Sequence, residues 1–516
     1  MIAFCSRLLG AVASHSMPHL LSALLIISLA WCPAPSTAQD TTLTVGSKKF
    51  TENVILGAMA TQLLQAEGFR ATHREELGGS RFLWEALVRG DIDVYPEYTG
   101  TLIQEILASD DVTRANLRRV LADYDVRMTA PLGFNNTYAL GMQKAQADSL
   151  GIRTISDLRE HPDLRFGFSN EFMDRGDGWP ALQQAYTLPQ TDVRGIDHDL
   201  GYRGLASDAV DVIDLYSTDA EIEAYDLRVL RDDRDFFPTY RALFLYRADL
   251  AKRAPGAVDA LRRLEDRIPA ATMTALNKRA KIDGQGEAEV AAAFLNDTLD
   301  LAQQITVETE RRPERVWLRT QEHVVLVGVS LLLAILVAVP LGVVAFKTGW
   351  IGQGVLLVVG ITYTIPSLAL LAMMVPPLGL GRVPAITALF FYSLLPIVWN
   401  TYTGLNDIER PLTESALALG LSEGARLRLV ELPLAARSIL AGIKIAAVIN
   451  VGTATLGALI GAGGYGQPIL TGIRRADLGL ILEGTVPAAV LTVLLLALFE
   501  GIERALLPRE SEPAGG

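Results

Sequence analysis

The sequence predicts two architectures in one chain of 516 residues: an α/β two-lobed exported domain, then an all-α domain of about five membrane spans. Three observations carry that prediction. Charged residues are frequent from about Thr41 to Arg319, after which long apolar runs alternate with short polar loops. Strand-like and helix-like stretches alternate through the first of these regions, the order of an α/β fold. The second region packs five near-span-length apolar runs into fewer than 190 residues, too many for buried helices of a soluble protein.

The N-terminus comes first. Leu20–Trp31 is an apolar core too short to span comfortably, and Ser36-Thr37-Ala38 offers small residues for cleavage before Gln39. Arg7 supplies the positive end. Residues 1–38 therefore read as a signal peptide, with an uncleaved anchor as the alternative; in both cases the following domain is exported. A lipoprotein reading through Cys32 is disfavoured because Trp31 stands where a small residue is needed. Cys5 and Cys32 are the chain's two cysteines, so a cleaved form has neither disulfide nor thiol chemistry. The net charge of −12 argues against a nucleic-acid partner.

The exported domain covers 39–305. "LTVGSKKF" reads as a strand ending in a polar loop. Thr51 is expected to cap a helix whose apolar positions Val54, Ile55, Met59, Leu63 and Leu64 recur at helical spacing. "GGSRFLWEALVRGD" continues as helix and "IDVYPEY" as strand and turn. Two more strands, 137–143 and 240–247, lie far apart with α/β sequence between them. That arrangement suits two lobes, one of about 41–138 plus 245–305 and the other of about 140–240. A charged linker, 306–320, leads to the membrane domain at 321–508, and 509–516 forms a tail.

Spans are expected at Val324–Phe346, Gly354–Met374, Val383–Trp399, Leu440–Ile460 and Leu478–Phe499. An odd number starting outside ends inside. Lys347, Arg410, Arg426, Arg428, Arg437, Arg504 and Arg509 then face the cytoplasm. Arg311, Arg312, Arg315, Arg319, Arg474 and Arg475 run against the tendency. "GAGGYGQPILTG", Gly461–Gly472, reads as an outer gate or re-entrant segment, its glycines permitting close packing. On the inner face, a helix over Leu412–Leu419 stops at Gly420. A second short helix follows, with Leu427 and Val430 on one side, and Leu432-Pro433 is expected to end it.

That inner loop resembles the E-A-A-x3-G-x9-I-x-L-P coupling loop of binding-protein-dependent ABC permeases. The matching residues are Glu414, Ser415, Ala416, Gly420, Val430, Leu432 and Pro433, with Ser415 and Val430 as mild departures. The resemblance covers about 321–507. It implies an inner-membrane, multi-pass permease working as a pair, here a homodimer, with the loop docked on a separate ATPase. No G-x4-G-K-[ST] occurs in this chain. The resemblance therefore puts ATP and magnesium on the partner and leaves this chain with no cofactor, no metal and no catalytic residue, a transporter subunit rather than an enzyme.

The exported half is similar to the substrate-binding domains of osmoprotectant and quaternary-amine transporters, of the glycine betaine, choline and carnitine type. The blocks "VGSKKFTENVILG", "LGGSRFLWEALVRGDIDVYPEYTGT", "NNTYALGM", "SNEFMDRGDGWPALQQAYTL", "DLYSTD" and "FPTYRALFLYR" carry the likeness. It implies a periplasmic-binding-protein fold of type II-like topology, facing the periplasm. It also implies a tyrosine box around a quaternary ammonium group: Tyr98, Tyr138, Tyr216 and Tyr240. Such a cation has no N–H to donate, and ring faces attract it by about 0.5–2 kcal/mol each when desolvated. Lys48, Thr101 and Arg175 are the implied holders of a ligand carboxylate. A lone tyrosine is more often a packing residue, and Tyr95, Tyr186, Tyr202 and Trp179 are read that way; Lys49 is the decoy for Lys48.

Together these resemblances imply a fused substrate-binding and permease subunit of an importer for glycine betaine or a related amine, an osmoprotectant uptake system. Choline, carnitine and a ring-bearing betaine such as ergothioneine stay open as cargo. A membrane-anchored amine sensor is the alternative of another class, and the coupling loop speaks against it.

Overall fold

The computed structural model describes residues 42–108, 111–307, 312–475 and 477–506; the predicted signal peptide and tail lie outside the described residues. The exported half contains two five-stranded sheets. The first is ordered β2-β1-β3-β10-β4, from β1 (Leu43–Gly46), β2 (Ala71–Arg74), β3 (Val94–Tyr98), β4 (Val126–Met128) and β10 (Ala242–Arg247). The second is ordered β7-β6-β8-β5-β9, from β5 (Tyr138–Gln143), β6 (Phe166–Ser169), β7 (Val193–Ile196), β8 (Val212–Tyr216) and β9 (Leu227–Leu230). Each is parallel at one end and carries one inserted antiparallel strand, β10 in the first and β5 in the second. The first sheet regains its strand at Ala242, so lobe one resumes slightly earlier than the expected residue 245. Segments 129–137 and 231–241 connect the lobes side by side, joined by an antiparallel bridge between Asn135 and Arg241.

Lobe one is organised by helix α1 (Thr51–Ala66), which is buried from Thr51 to Leu64. Its apolar residues pack between the sheet and two helices at the end of the exported half, α4 (Ala270–Lys281) and α5 (Glu287–Thr298). Burial of each such side chain contributes about 1.5–3 kcal/mol. Two of its buried amides donate to main-chain carbonyls, Asn53 to Pro96 and Gln62 to Ala288, both at 2.9 Å. Thr51 does not cap the helix. It is the first helical residue, Phe50 precedes it without a side-chain cap, and the Thr51 hydroxyl accepts from an arginine far along the chain. The remaining helices that matter for the site are α2 (Ser80–Arg89) in lobe one and α3 (His198–Ala206) in lobe two.

The membrane half is all helical. Four helices are long and apolar enough to span: α6 (Arg312–Lys347), α9 (Arg382–Asn406), the run Glu423–Ile460, and α14 (Leu478–Leu506). The expected span at Gly354–Met374 is instead a bent pair, α7 (Gly349–Thr364) and α8 (Ser367–Leu378), at 98° to each other. Pro366 explains the break. Its ring excludes helical backbone from the preceding residue, and Ile365 is extended at φ −65°, ψ 126°. Counting the pair as one broken span gives five.

Pro433 does not end a helix as expected. After α10 (Arg410–Ala418) and Gly420, at φ +76°, the chain forms α11 (Glu423–Arg426) and runs unbroken into α12 (Leu432–Thr453). A wide turn of i→i+5 type over Leu427–Glu431 joins them, and it absorbs the hydrogen bond that Pro433 cannot donate. The helices pack through small residues: a Cβ on Gly342 would meet Thr401, and one on Gly442 the Pro396 carbonyl. Asn450 bonds Ser330 at 3.1 Å and Ser393 at 2.8 Å, a buried polar knot tying three helices.

Candidate ligand-binding site

The site sits where both lobes converge, and strand register builds most of it. β5 and β8 pair antiparallel with Tyr138 directly opposite Tyr216. Their rings are therefore cross-strand neighbours, 5.0 Å between centroids. Tyr240 precedes β10, and its ring lies edge-on to Tyr138 at 5.7 Å. It rests on Gly100, where any Cβ would run into the ring. That contact accounts for the glycine in "YTGT". Tyr98 closes β3 on the lobe-one side.

Lys48, Tyr98, Thr101, Tyr138, Arg175, Tyr216 and Tyr240, the seven residues expected from the sequence, line a single cavity. Burial pushes all four phenol hydroxyls up, so the rings face the cavity as neutral phenols. Each hydroxyl is also tethered. Tyr98 donates to Glu52 at 2.6 Å, Tyr240 donates to Asp177, and the Tyr138 and Tyr216 oxygens are 3.4 Å apart. Thr101 is buried in the turn that follows Tyr98.

The two cations are already engaged. Lys48 pairs with Glu97 at 2.5 Å, both fully buried. Arg175 binds Asp177 through Nε and Nη2 at 2.8 Å and Glu105 through Nη1 at 2.5 Å. Three of its five N–H groups are used there, leaving two for a ligand oxygen. The Arg175 guanidinium also lies 5.4 Å from the Tyr138 centroid and 6.0 Å from that of Tyr240, and Lys48 Nζ lies 5.2 Å from Tyr98. A protein cation thus stands over three of the four rings.

Several lining residues escaped the sequence reading. Glu52, beside the N-terminus of α1, accepts from Tyr98, Asn136, Thr218 and Asn277, and has no basic partner among these. Burial raises its carboxyl above the usual range while those donors pull it back. An acid in a first helical turn is ordinary, so nothing local singles it out. Lys281 of α4 binds Asp199 at 2.6 Å and Glu221 at 2.5 Å, linking lobe one to lobe two. His198 of α3 lies against the Tyr216 ring at 4.5 Å and meets Asp219 at 3.1 Å. Burial would lower its pKa, but Asp214 and Asp219 outweigh burial and raise it well above the ordinary value. The decoys behave as packing residues: Tyr95 is fully buried in the lobe-one core, and Lys49 is half exposed beside Asp197. Trp179 and Tyr186 lie in the lobe-two core, while Tyr202, also buried, sends its hydroxyl to Asp219.

On the cytoplasmic side, α10 and α11 form the expected knob. Glu414 and Ser415 are exposed, Ala416 is buried, and Leu417, Leu419 and Leu429 present 54%, 80% and 63% of their surface. Arg426 holds buried Glu431 at 2.7 Å beneath the knob, while Val430, Leu432 and Pro433 occupy the wide turn and the start of α12.

Comparison with known proteins matches both halves. Residues 41–297 fit the model for the substrate binding domain of ABC-type glycine betaine transport system. Residues 330–512 fit that for the binding-protein-dependent transport system inner membrane component. The choline transport system permease protein OpuBB of Bacillus subtilis is 43% identical over 37% of this chain and 88% of its own length. A glycine-betaine-binding protein of Pseudomonas aeruginosa is 34% identical over 51% of this chain and 90% of its own. The chain belongs to the glycine betaine class of ABC transport systems. It joins receptor and inner-membrane permease in one polypeptide. The ergothioneine transport permease/ergothioneine binding protein EgtU of Helicobacter pylori is 32% identical over 53% of this chain, and the alignment spans half the length of that relative.

Proposed function

We propose that the chain captures a quaternary amine at the outer face of the inner membrane and passes it through its own permease half. The observation that carries this reading is the convergence of four neutral tyrosine rings from both lobes on one cavity. A trimethylammonium group is a diffuse cation that ring faces hold and carboxylate cages do not distinguish from sodium or lysine. The two unused N–H groups of Arg175 suit a carboxylate at the other end of the ligand, which favours betaines over choline. Calorimetry of the full chain in nanodiscs against glycine betaine, carnitine, choline and sodium tests it. Saturable binding of at least one amine is expected. Equal response to sodium, or none to any amine, overturns it.

Energy comes from a separate ATPase, whose ATP and magnesium this chain does not supply. The exposed leucines around Gly420 form the surface for it, and the outward apolar face of α14 suits a second copy of the permease. Glu414→Lys is expected to abolish uptake while leaving amine binding intact; a signalling role without transport predicts no loss of uptake dependent on this knob.

A second cargo is favoured by a specific feature. Asn277 Oδ1 and Glu221 Oε2 are buried without hydrogen-bond partners among the described residues, and both residues line the cavity. Both are acceptors that a ring N–H would satisfy and that glycine betaine leaves empty. A ring-bearing betaine, the class to which the Helicobacter relative's name points, is therefore the competitor to include in the calorimetric panel.

A further inference from the structure

Between its last two long helices the permease reaches into the receptor. Helix α13 (Gly466–Arg474) leaves the membrane half and ends against lobe one. Arg474 is 8% exposed. Its Nη2 and Nε lie 2.6 and 3.1 Å from Glu76 Oε1. Its Nη1 lies 2.5 Å from Glu287 Oε1 and 2.8 Å from the Thr51 hydroxyl. Thr471 donates to Glu76 at 3.0 Å, and Gln467 to Glu75 at 3.0 Å. Arg475 donates to the carbonyls of Gly284 and Gln285.

The contact extends beyond this one helix. Arg89 of α2 donates to the Val375 and Pro376 carbonyls at the end of α8. Apolar residues also cross the seam in both directions: Phe82 packs against the permease cluster that contains Leu326 and Leu370, and Leu380 packs against the lobe-one cluster that contains Leu83 and Leu87.

All of these contacts fall on lobe one, and lobe two contributes none of them. An arginine buried between two carboxylates that are themselves below a tenth exposed is the arrangement of a domain interior. The joins between the lobes are buried to a similar degree, but Glu52, Asn277, Lys281, Glu221 and Arg175 among them wall the ligand cavity. They consist of two backbone segments, hydrogen bonds such as Thr218 to Glu52 and Asn277 to the Thr218 carbonyl, and ion pairs of Lys281 and Arg175. Contacts that wall the ligand cavity are remade as ligand enters and leaves, which suits a hinge.

We propose that Arg474 is the key by which the permease holds lobe one of its own receptor as a fixed base, so that the receptor opens and closes by movement of lobe two alone. The docked partner of this surface is the same chain. The receptor does not swing on its linker between turnovers; lobe one stays against the permease. Two of the six arginines that run against the charge tendency are accounted for by the same device, since Arg474 and Arg475 face receptor carboxylates and carbonyls.

Pulsed electron paramagnetic resonance on the full chain in nanodiscs tests this without any ligand, and so stands apart from the amine reading. With Cys5 and Cys32 replaced by serine, one label pair spans the seam at Val88→Cys and Val383→Cys. A second joins the permease to lobe two at Val383→Cys and Val229→Cys; all three positions are exposed. The seam pair is expected to give one narrow distance, and the lobe-two pair a distribution several-fold wider. Arg474→Ala is expected to make the seam pair as wide as the other. Arg474→Lys keeps the charge but cannot reach Glu76, Glu287 and Thr51 together, and should fall between. A seam pair as broad as the lobe-two pair in the unsubstituted chain overturns the proposal, and so does a seam pair that stays narrow in Arg474→Ala.

Discussion

The two lobes of the receptor share one strand order yet differ in what they bring to the cavity. Lobe one contributes Lys48, Glu52, Tyr98, Thr101, Asn277 and Lys281, with a single box ring among them, and it carries every contact to the permease described above. Lobe two contributes Tyr138, Tyr216, Arg175 and His198, and Tyr240 packs into its core. Most of the aromatic surface for a cation therefore sits on the lobe that is free of the permease. Ligand affinity then contains the closing equilibrium as well as the contacts, because three of the rings meet the fourth only when the cleft shuts.

The largest expected effect is at the centre of the lobe-two cluster. Tyr138 touches Tyr216, Tyr240 and Phe172 and lies under Arg175. Tyr138→Ala removes a desolvated ring face and loosens its neighbours, and calorimetry should show amine affinity falling about 30-fold, or about 2 kcal/mol. Tyr98→Ala, on the lobe with one ring, should cost clearly less. Equal losses at the two positions would break the asymmetry. Next in size is the latch: Lys281→Ala leaves Asp199 and Glu221 without their cation across the cleft and should lower affinity about tenfold, by depopulating the closed form. If affinity is unchanged, closure does not depend on that pair.

The histidines sharpen the comparison by pH. His73, on β2 of lobe one, is held neutral by burial, its pKa lowered to about 4. The folded state then binds fewer protons than the unfolded state between about pH 4 and 6.5, so stability falls as pH drops through that window. Part of the residue remains within reach of water, which holds the effect to about 1 kcal/mol between pH 7 and 5. His198 in lobe two has the opposite shift, because Asp214 and Asp219 overcome burial. Its contribution is fully present below pH 6.5 and is lost only as pH rises through the raised value. Hydrogen-exchange protection, corrected for intrinsic rate, should therefore weaken on acidification in α1 and β2 but not in β8 and α3. His73→Gln should abolish the lobe-one change; if protection of the two lobes falls together, the assignment fails.

The division between legible and illegible follows sequence distance. Elements with local signals were readable: the helix at Val54–Leu64, the strand ending at Tyr98, and the knob turned at Gly420. The seven site residues were reached because each lies in a long stretch that resembles one family. Glu52 and Lys281 were not, since their partners are remote; Glu52 meets Asn277 across 225 residues and Thr218 across 166. Thr51 had a plausible local role as a cap, and a tertiary contact to Arg474, 423 residues away, displaced it. The break at Pro366 was readable in principle, as a proline within an apolar run. Hydropathy averages over the window and hides a single backbone clash.

The smallest expected effect is the one that separates site from scaffold within a single strand. Tyr95 and Tyr98 both belong to β3, three positions apart, so their side chains point to opposite faces. Tyr98 turns to the cavity and donates to Glu52, a carboxylate that also receives Thr218 from the other lobe. Tyr98→Phe keeps the ring but removes that donor, and should weaken amine binding about threefold, the worth of one modest hydrogen bond. Tyr95 turns into the core beside Leu83, Leu87 and Leu245, and its hydroxyl is buried near the Glu97 carboxyl without a hydrogen bond of ordinary geometry among the described residues. Removing an unsatisfied buried polar atom relieves a desolvation cost, so Tyr95→Phe should leave binding unchanged and thermal stability equal or higher. A loss of affinity in Tyr95→Phe as large as that in Tyr98→Phe would mean that the fixed lobe shapes the cavity through its core, and the contrast between an anchored base and a selecting jaw would no longer hold.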